Sequence, residues 1–210
     1  MLTFTYGSFV GVIFLMPLYL QNLRGFTPLQ SGLTTFPQAL GVIVSSQIVG
    51  RLYHRVGPRR LIVFGMLGLA AVTLPLAFAG LNTSLWQIRA IMFGRGIAMA
   101  FAFVPMQAAT YANVAPVDTG RASAIYSTQR QFAAALGVAT LGTVLVSRIN
   151  SATQGVTDPH ALARATLSGY HVAFFVGTVL VFCASLTGLL IHDEDAASTL
   201  QRPPARAARD

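Results

Sequence analysis

Apolar residues gather into six long runs, at residues 2–23, 32–50, 61–81, 86–112, 124–146 and 170–191, separated by stretches rich in arginine, glycine and proline. A hydrocarbon core about 30 Å thick takes roughly 20 residues of α-helix to cross, and each run is of that order. None alternates apolar and polar residues with the period of two that a membrane barrel strand requires. Backbone groups in lipid must bond within their own segment, so the runs predict helices. The expected fold class is an all-α membrane protein, a six-transmembrane-helix bundle over residues 1–191, followed by a disordered tail at 192–210. The connection 147–169 reads as the longest loop, polar and external, with a short helix after Asp158 and Pro159.

Small residues recur at four-residue spacing within the runs: Gly7 and Gly11; Gly94, Ala98 and Ala102; Ala133 and Gly137. That spacing brings them to one helix face and predicts close helix packing. Pro17, Pro37, Pro75 and Pro105 fall inside predicted spans and should kink them.

Composition fits the pattern: 54% of the residues are hydrophobic and 10% charged, whereas a soluble domain carries roughly 25% charged residues. All 14 cations are arginine, and the high pI reflects the scarcity of acids, 6 in all, as much as the bases. The basic balance therefore points to a lipid bilayer as partner and not to nucleic acid. Cys183, the one cysteine, lies in an apolar run and reads as a small buried residue. The first run starts directly after Met1, without a basic flank or a small-residue cleavage site, so no cleaved signal peptide is expected.

Arginine placement orients the bundle. Arg51, Arg55, Arg59, Arg60, Arg121, Arg202, Arg206 and Arg209 fall on one side, and only Arg24, Arg148 and Arg164 on the other. By the positive-inside rule both termini are cytoplasmic. The loop "GRLYHRVGPRR" thereby acts at least as a topology anchor. Its Gly50, Gly57 and Pro58 exceed what an anchor needs and predict a sharply folded turn.

Polar groups inside the spans are the candidates for function. Arg95 falls near mid-membrane and Arg130 shares a helix face with Tyr126 and Ala133; a guanidinium there costs at least about 2.5 kcal/mol. Arg95, Gln107, Tyr126 and Arg130 are read as cavity-lining or cross-helix residues, with Gln38, Gln47, Gln129 and Gln131 as further amides that can bond neighbouring helices. Asp118, Asp158, Asp193, Glu194, Asp195 and Asp210 all lie outside the spans. No catalytic constellation, metal cluster or phosphate-binding loop stands out, so neither enzyme activity nor a cofactor or metal is expected.

Three segments resemble a known family. "MPLYLQNLRGFTPLQSGLTTFP" and "RGIAMAFAFVPMQAATYANVAPVDTGRASAIYSTQRQFAAALGVA" are similar to the C-terminal half of major facilitator superfamily transporters, within them the fourteen-helix drug:proton antiporters of the EmrB/QacA type. "GRLYHRVGPRR" resembles the superfamily's cytoplasmic signature, with Gly50, Arg55, Gly57 and Arg59 matching. His54 stands where the pattern has aspartate, and Pro58 where it has a basic residue. The resemblance implies one half of a major facilitator fold, built as two inverted three-helix repeats. It implies the C-terminal half of a multidrug exporter in the bacterial plasma membrane, moving amphipathic or cationic small molecules outward in exchange for protons. Such a half would need an N-terminal half, or a second copy, to close a cavity. The alternative is a non-transporting remnant or a membrane-embedded accessory subunit.

Overall fold

The computed structural model describes residues 2–112, 114–155 and 158–188; the predicted tail and the last residues of the sixth predicted span lie outside them. The described residues form helices α1 (Leu2–Leu18), α2 (Pro28–Thr35), α3 (Pro37–Val56), α4 (Pro58–Thr73), α5 (Leu85–Tyr111), α6 (Thr119–Thr153) and α7 (Pro159–Gly188), and contain no strand. Five helical segments are long and apolar enough to cross a membrane. The remaining long helix, α3, has 20 residues but carries Gln38, Ser45, Ser46, Gln47, Arg51, His54 and Arg55, so it falls short in hydropathy, not in length. It completes the six-helix bundle by packing along α5.

The boundaries depart from the apolar runs in instructive ways. The second element starts at Pro28, where Thr27 caps α2 in a reciprocal capping box with Gln30, breaks at Phe36, and resumes at Pro37 as α3. The loop expected at 147–169 is replaced in large part by helix: α6 continues to Thr153, and the helix expected after Pro159 is the start of α7 itself. Hydropathy marks only the part of a helix that lipid surrounds. The segment "ALARATL" has good helix formers, and the Asp158 carboxylate accepts from the Ala161 amide at 2.8 Å. At 1.5 Å per residue α6 is roughly 52 Å long, so it overshoots a hydrocarbon core.

Three of the four prolines coincide with an irregularity of the helix. After Pro17 the chain widens into a π-helical turn at Tyr19–Leu23, and Pro75 lies in the 3-10 segment Leu74–Phe78. Pro37 follows the break at Phe36. Pro105 lies inside α5, which stays α-helical around it. Between α3 and α4 a single residue, Gly57, makes the turn at φ 85° and ψ 154°, a region open essentially to glycine alone.

Glycine also sets how the helices meet. A Cβ on Gly137 would fall into the backbone of Gly7, which joins α6 to α1, and one on Gly96 would fall into the Gln38 carbonyl, which joins α5 to α3. Gly65 on α4 meets the backbone of Ala102 on α5, and Gly169 on α7 meets Ile149 on α6. The bundle is thus two closely crossed pairs, α1 with α6 and α3 with α5, joined behind by α4 packed on α7. Exchanging α1 with α5, α3 with α6 and α4 with α7 maps one pair onto the other, as two inverted three-helix repeats would require. Cys183, expected to be buried, is exposed on the outer face of α7 beside Phe182, because α7 turns Ala184 and Ser185 inward at that level.

The crossing geometry gives a direct test. Gly137→Val should destabilise the bundle by about 1–3 kcal/mol through overpacking, whereas Gly142→Val, where an added Cβ meets nothing within 4 Å, should leave thermal unfolding in detergent nearly unchanged.

Candidate functional site

The buried apolar residues fall into two clusters stacked along the bundle. One contains Leu15, Leu76, Ile88, Leu141 and Phe174, and the other contains Met66, Leu69, Ala102, Tyr126 and Val181. Between them every helix that contributes to both passes through small or polar residues. Ser8 on α1 donates to the Gly177 carbonyl of α7 at 2.6 Å. Thr73 on α4 and Arg95 on α5 lie at the same level, as do Gly137 on α6 and Thr178 on α7.

Arg95 is the largest fully buried side chain, 1% exposed. Its Nη1 donates to Thr73 Oγ1 at 2.6 Å, and that hydroxyl donates onward to the Leu69 carbonyl at 2.6 Å. Nε and Nη2 have no partner among the described residues, and no carboxylate enters the layer. Arg95 is therefore a cross-helix residue tying α5 to α4, and it does not line the open cleft described next.

On the opposite side from α4 and α7, the front helices α1 and α5 stand apart. The gap is an apolar cleft of about 470 Å³ between α1, α3 and α5, lined chiefly by Phe9, Ile13, Met16, Val42, Met92 and Met99, with Gln38 and Thr35 as its polar residues. Phe9 connects the cleft to an aromatic group: it lies 5.7 Å from Phe103, which meets Tyr6 edge-on at 5.5 Å. The Arg130 guanidinium lies over the Tyr6 ring, 5.3 Å from its centroid, reaching from α6 to α1. Tyr126, one turn before Arg130, is buried and packs against Tyr111 of α5 at 5.9 Å.

The structure thus brings Arg130 and Tyr126 together with α1 and α5, at the end of the bundle that also carries Gly57. Gln107 is exposed on the last turns of α5. Gly50, Arg55, Gly57 and Arg59 gather at the α3–α4 turn, where the Gly57 amide donates to the Tyr53 carbonyl at 3.1 Å. Arg55 lines a shallow hollow with Ile48, Arg51 and Leu52, and exposed His54 stacks edge-on against Tyr53. Sequence reasoning missed Tyr6, Phe9, Phe103, Met92 and Met99. The spacing of Tyr6 and Phe9 places both on one helix face, but nothing in the sequence registers α1 against α5.

It also missed a clamp at the far end of the bundle. The Tyr19 hydroxyl donates to the Gly80 carbonyl and Arg24 Nη1 to the Thr83 carbonyl, both at 2.7 Å, and His171 Nε2 lies 2.9 Å from the Ala79 carbonyl. Three side chains from two segments, the π turn with its C-cap and α7, thereby hold the connection between α4 and α5. The π turn after Pro17 is what presents Tyr19 to it.

A polytopic helical bundle with a polar layer at mid-depth and a solute-sized cleft open through one face is the architecture of one half of a membrane carrier. Comparison with known proteins identifies which. A family profile described as "Major Facilitator Superfamily" matches residues 1–209, and the chain belongs to that family, one of transporters and not of enzymes. It is 33% identical over 196 residues to the puromycin resistance protein pur8 of Streptomyces alboniger, covering 90% of this chain and 39% of that protein. It is 30% identical over 179 residues to the multidrug resistance protein Stp of Mycobacterium tuberculosis, covering 81% and 33%. It is 31% identical over 132 residues to the putative multidrug resistance protein MdtD of Pectobacterium carotovorum, covering 63% and 28%. The chain therefore spans two fifths or less of the length of these relatives. The chain is an integral membrane protein of that superfamily.

Arg95 and Thr73 yield opposite expectations for stability. Thr73→Val removes the one partner of a buried cation and should destabilise the chain by about 1–3 kcal/mol. Arg95→Met replaces an incompletely bonded cation by an apolar side chain of similar reach, and should be neutral or stabilising. Melting temperatures of both variants in the same detergent check the pair.

Proposed function

We propose that this chain forms the second half of a bacterial multidrug efflux transporter, exporting amphipathic molecules in exchange for protons, with both termini cytoplasmic and an N-terminal half as its partner. The observation that carries the reading is the cleft between α1, α3 and α5, which is apolar, solute-sized and open through one side. A cavity walled on one side only needs a second bundle to close it. An apolar lining with few polar groups also suits a carrier of many compounds.

The charge inventory supports the partner. Proton coupling needs a titratable group reachable from each side of the membrane in turn. Among the described residues the acids are Asp118 and Asp158, which stand at the N-terminal ends of α6 and α7. The proton-carrying carboxylate is accordingly assigned to the other half. In this reading Arg130, Tyr126 and Gln107 belong to the cavity wall, and Arg95 fixes the wall's helices. Gly50, Arg55, Gly57 and Arg59 form the turn that anchors the α3–α4 end in the cytoplasm.

Drug efflux in a pump-deficient bacterium tests the proposal. Co-expression with a first half of the same transporter type should give efflux that a protonophore abolishes, while the chain alone should give none. Protonophore-sensitive efflux by the chain alone, in a host lacking any related first half, would refute the need for a partner. Absence of efflux in every combination would favour an accessory role.

A further inference from the structure

We infer that this half of the cavity selects its ligands by charge, taking planar aromatic molecules that bear an anionic group and disfavouring aromatic cations. The inference rests on the reading of the α1, α3 and α5 cleft as the wall of a binding cavity, and it names the class of molecule that wall accepts. Three observations carry it.

The first is the placement of Arg130. Its guanidinium is exposed, faces the Tyr6 ring at 5.3 Å, and is joined through Tyr6 and Phe103 to Phe9, which lines the cleft. A cation over an aromatic face occupies the surface that a cationic ligand would seek. The same guanidinium still has donors free to hold a carboxylate or sulfonate in a forked contact.

The second is the absence of a counter-charge. Along α1, α3, α4, α5, α6 and α7 the described residues within the helices include no acid, and the polar groups that line the cleft, Gln38 and Thr35, are uncharged. A cationic ligand would find no carboxylate on this wall and would be repelled by Arg130. The third is the lining itself. Phe9, Met16, Met92 and Met99 offer aromatic and thioether surface, which packs well against a flat ring and adapts to different ones.

The test uses the full chain in phosphatidylcholine nanodiscs, which carry no net surface charge, and two probes with one ring system: pyrenesulfonate and (pyrenylmethyl)trimethylammonium. Fluorescence titrations are corrected by empty nanodiscs, and saturable binding is defined by displacement with unlabelled naphthalenesulfonate. The sulfonate should bind at least about tenfold more tightly than the ammonium, a ratio of the size one charge-assisted contact supplies. Arg130→Gln should abolish that preference and Arg130→Lys should retain part of it. An unchanged melting temperature shows that the exposed side chain was removed without loss of fold.

If the ammonium binds as tightly as the sulfonate, or if Arg130→Gln leaves the ratio unchanged, the charge selection is overturned. The cleft reading survives that result when Met99→Trp, which fills the cleft, still weakens both probes. Failure of both probes to bind saturably would overturn the inference and the cleft reading together.

Discussion

Everything in this bundle depends on how closely its helices can approach without help from water. Lipid chains are as apolar as leucine, so the sorting that drives a soluble core together is missing, and association rests on packing and on cross-helix hydrogen bonds. Glycine removes the side chain at the crossing and lets backbone meet backbone. Here Gly137 against Gly7 locks α6 to α1, and Gly96 against Gln38 and Val42 locks α5 to α3. Each front helix is held to a flanking helix, and among the described residues α1 and α5 meet through the Tyr6, Phe9 and Phe103 rings. The cleft follows from this arrangement. Two tight pairs joined at the back leave a gap at the front.

The polar layer has a related origin. Where crossings are close there is little room for large apolar side chains, and Ser8, Thr73, Gly137 and Thr178 separate the two apolar clusters. Arg95 stands in this layer with one hydrogen bond and two unpartnered nitrogens among the described residues. Such a group is poor evidence for stability and better evidence for a specified arrangement of α4 and α5. Arg130 differs in every respect. It is exposed, it crosses to the Tyr6 ring on α1, and it reaches the cleft's lining residue Phe9 only through that aromatic group. Both were singled out from the sequence by the cost of an arginine in lipid, and the structure separates them into a packing residue and a surface residue.

The helices were legible because the bilayer imposes a length on every apolar run. The close-packing faces were legible because four-residue spacing is a property of one helix. Loop lengths were not, since α6 and α7 run on past the point where hydropathy stops reporting them. The exposure of Cys183 was not, because an apolar residue in lipid can face outward at no cost. The cleft was half legible. Gln38 was noted as a polar group in apolar surroundings, while Phe9, Met92 and Met99 look like any other apolar residue until α1, α3 and α5 are registered against one another. The clamp of Tyr19, Arg24 and His171 on the connection at 79–84 depends on a π turn that propensity alone does not foretell.

The central claim is that the face formed by α1, α3 and α5 is the wet, transporting face and that the face formed by α4 and α7 meets lipid. Maleimide labelling in membranes, with the proposed N-terminal half co-expressed, tests it most directly. Cys183 on α7 should react with a lipid-soluble maleimide and resist a charged, water-soluble one. Met99→Cys, in a Cys183→Ser background, should react with the charged reagent. Rapid labelling of Cys183 by the charged reagent, with position 99 accessible only from lipid, would contradict the account.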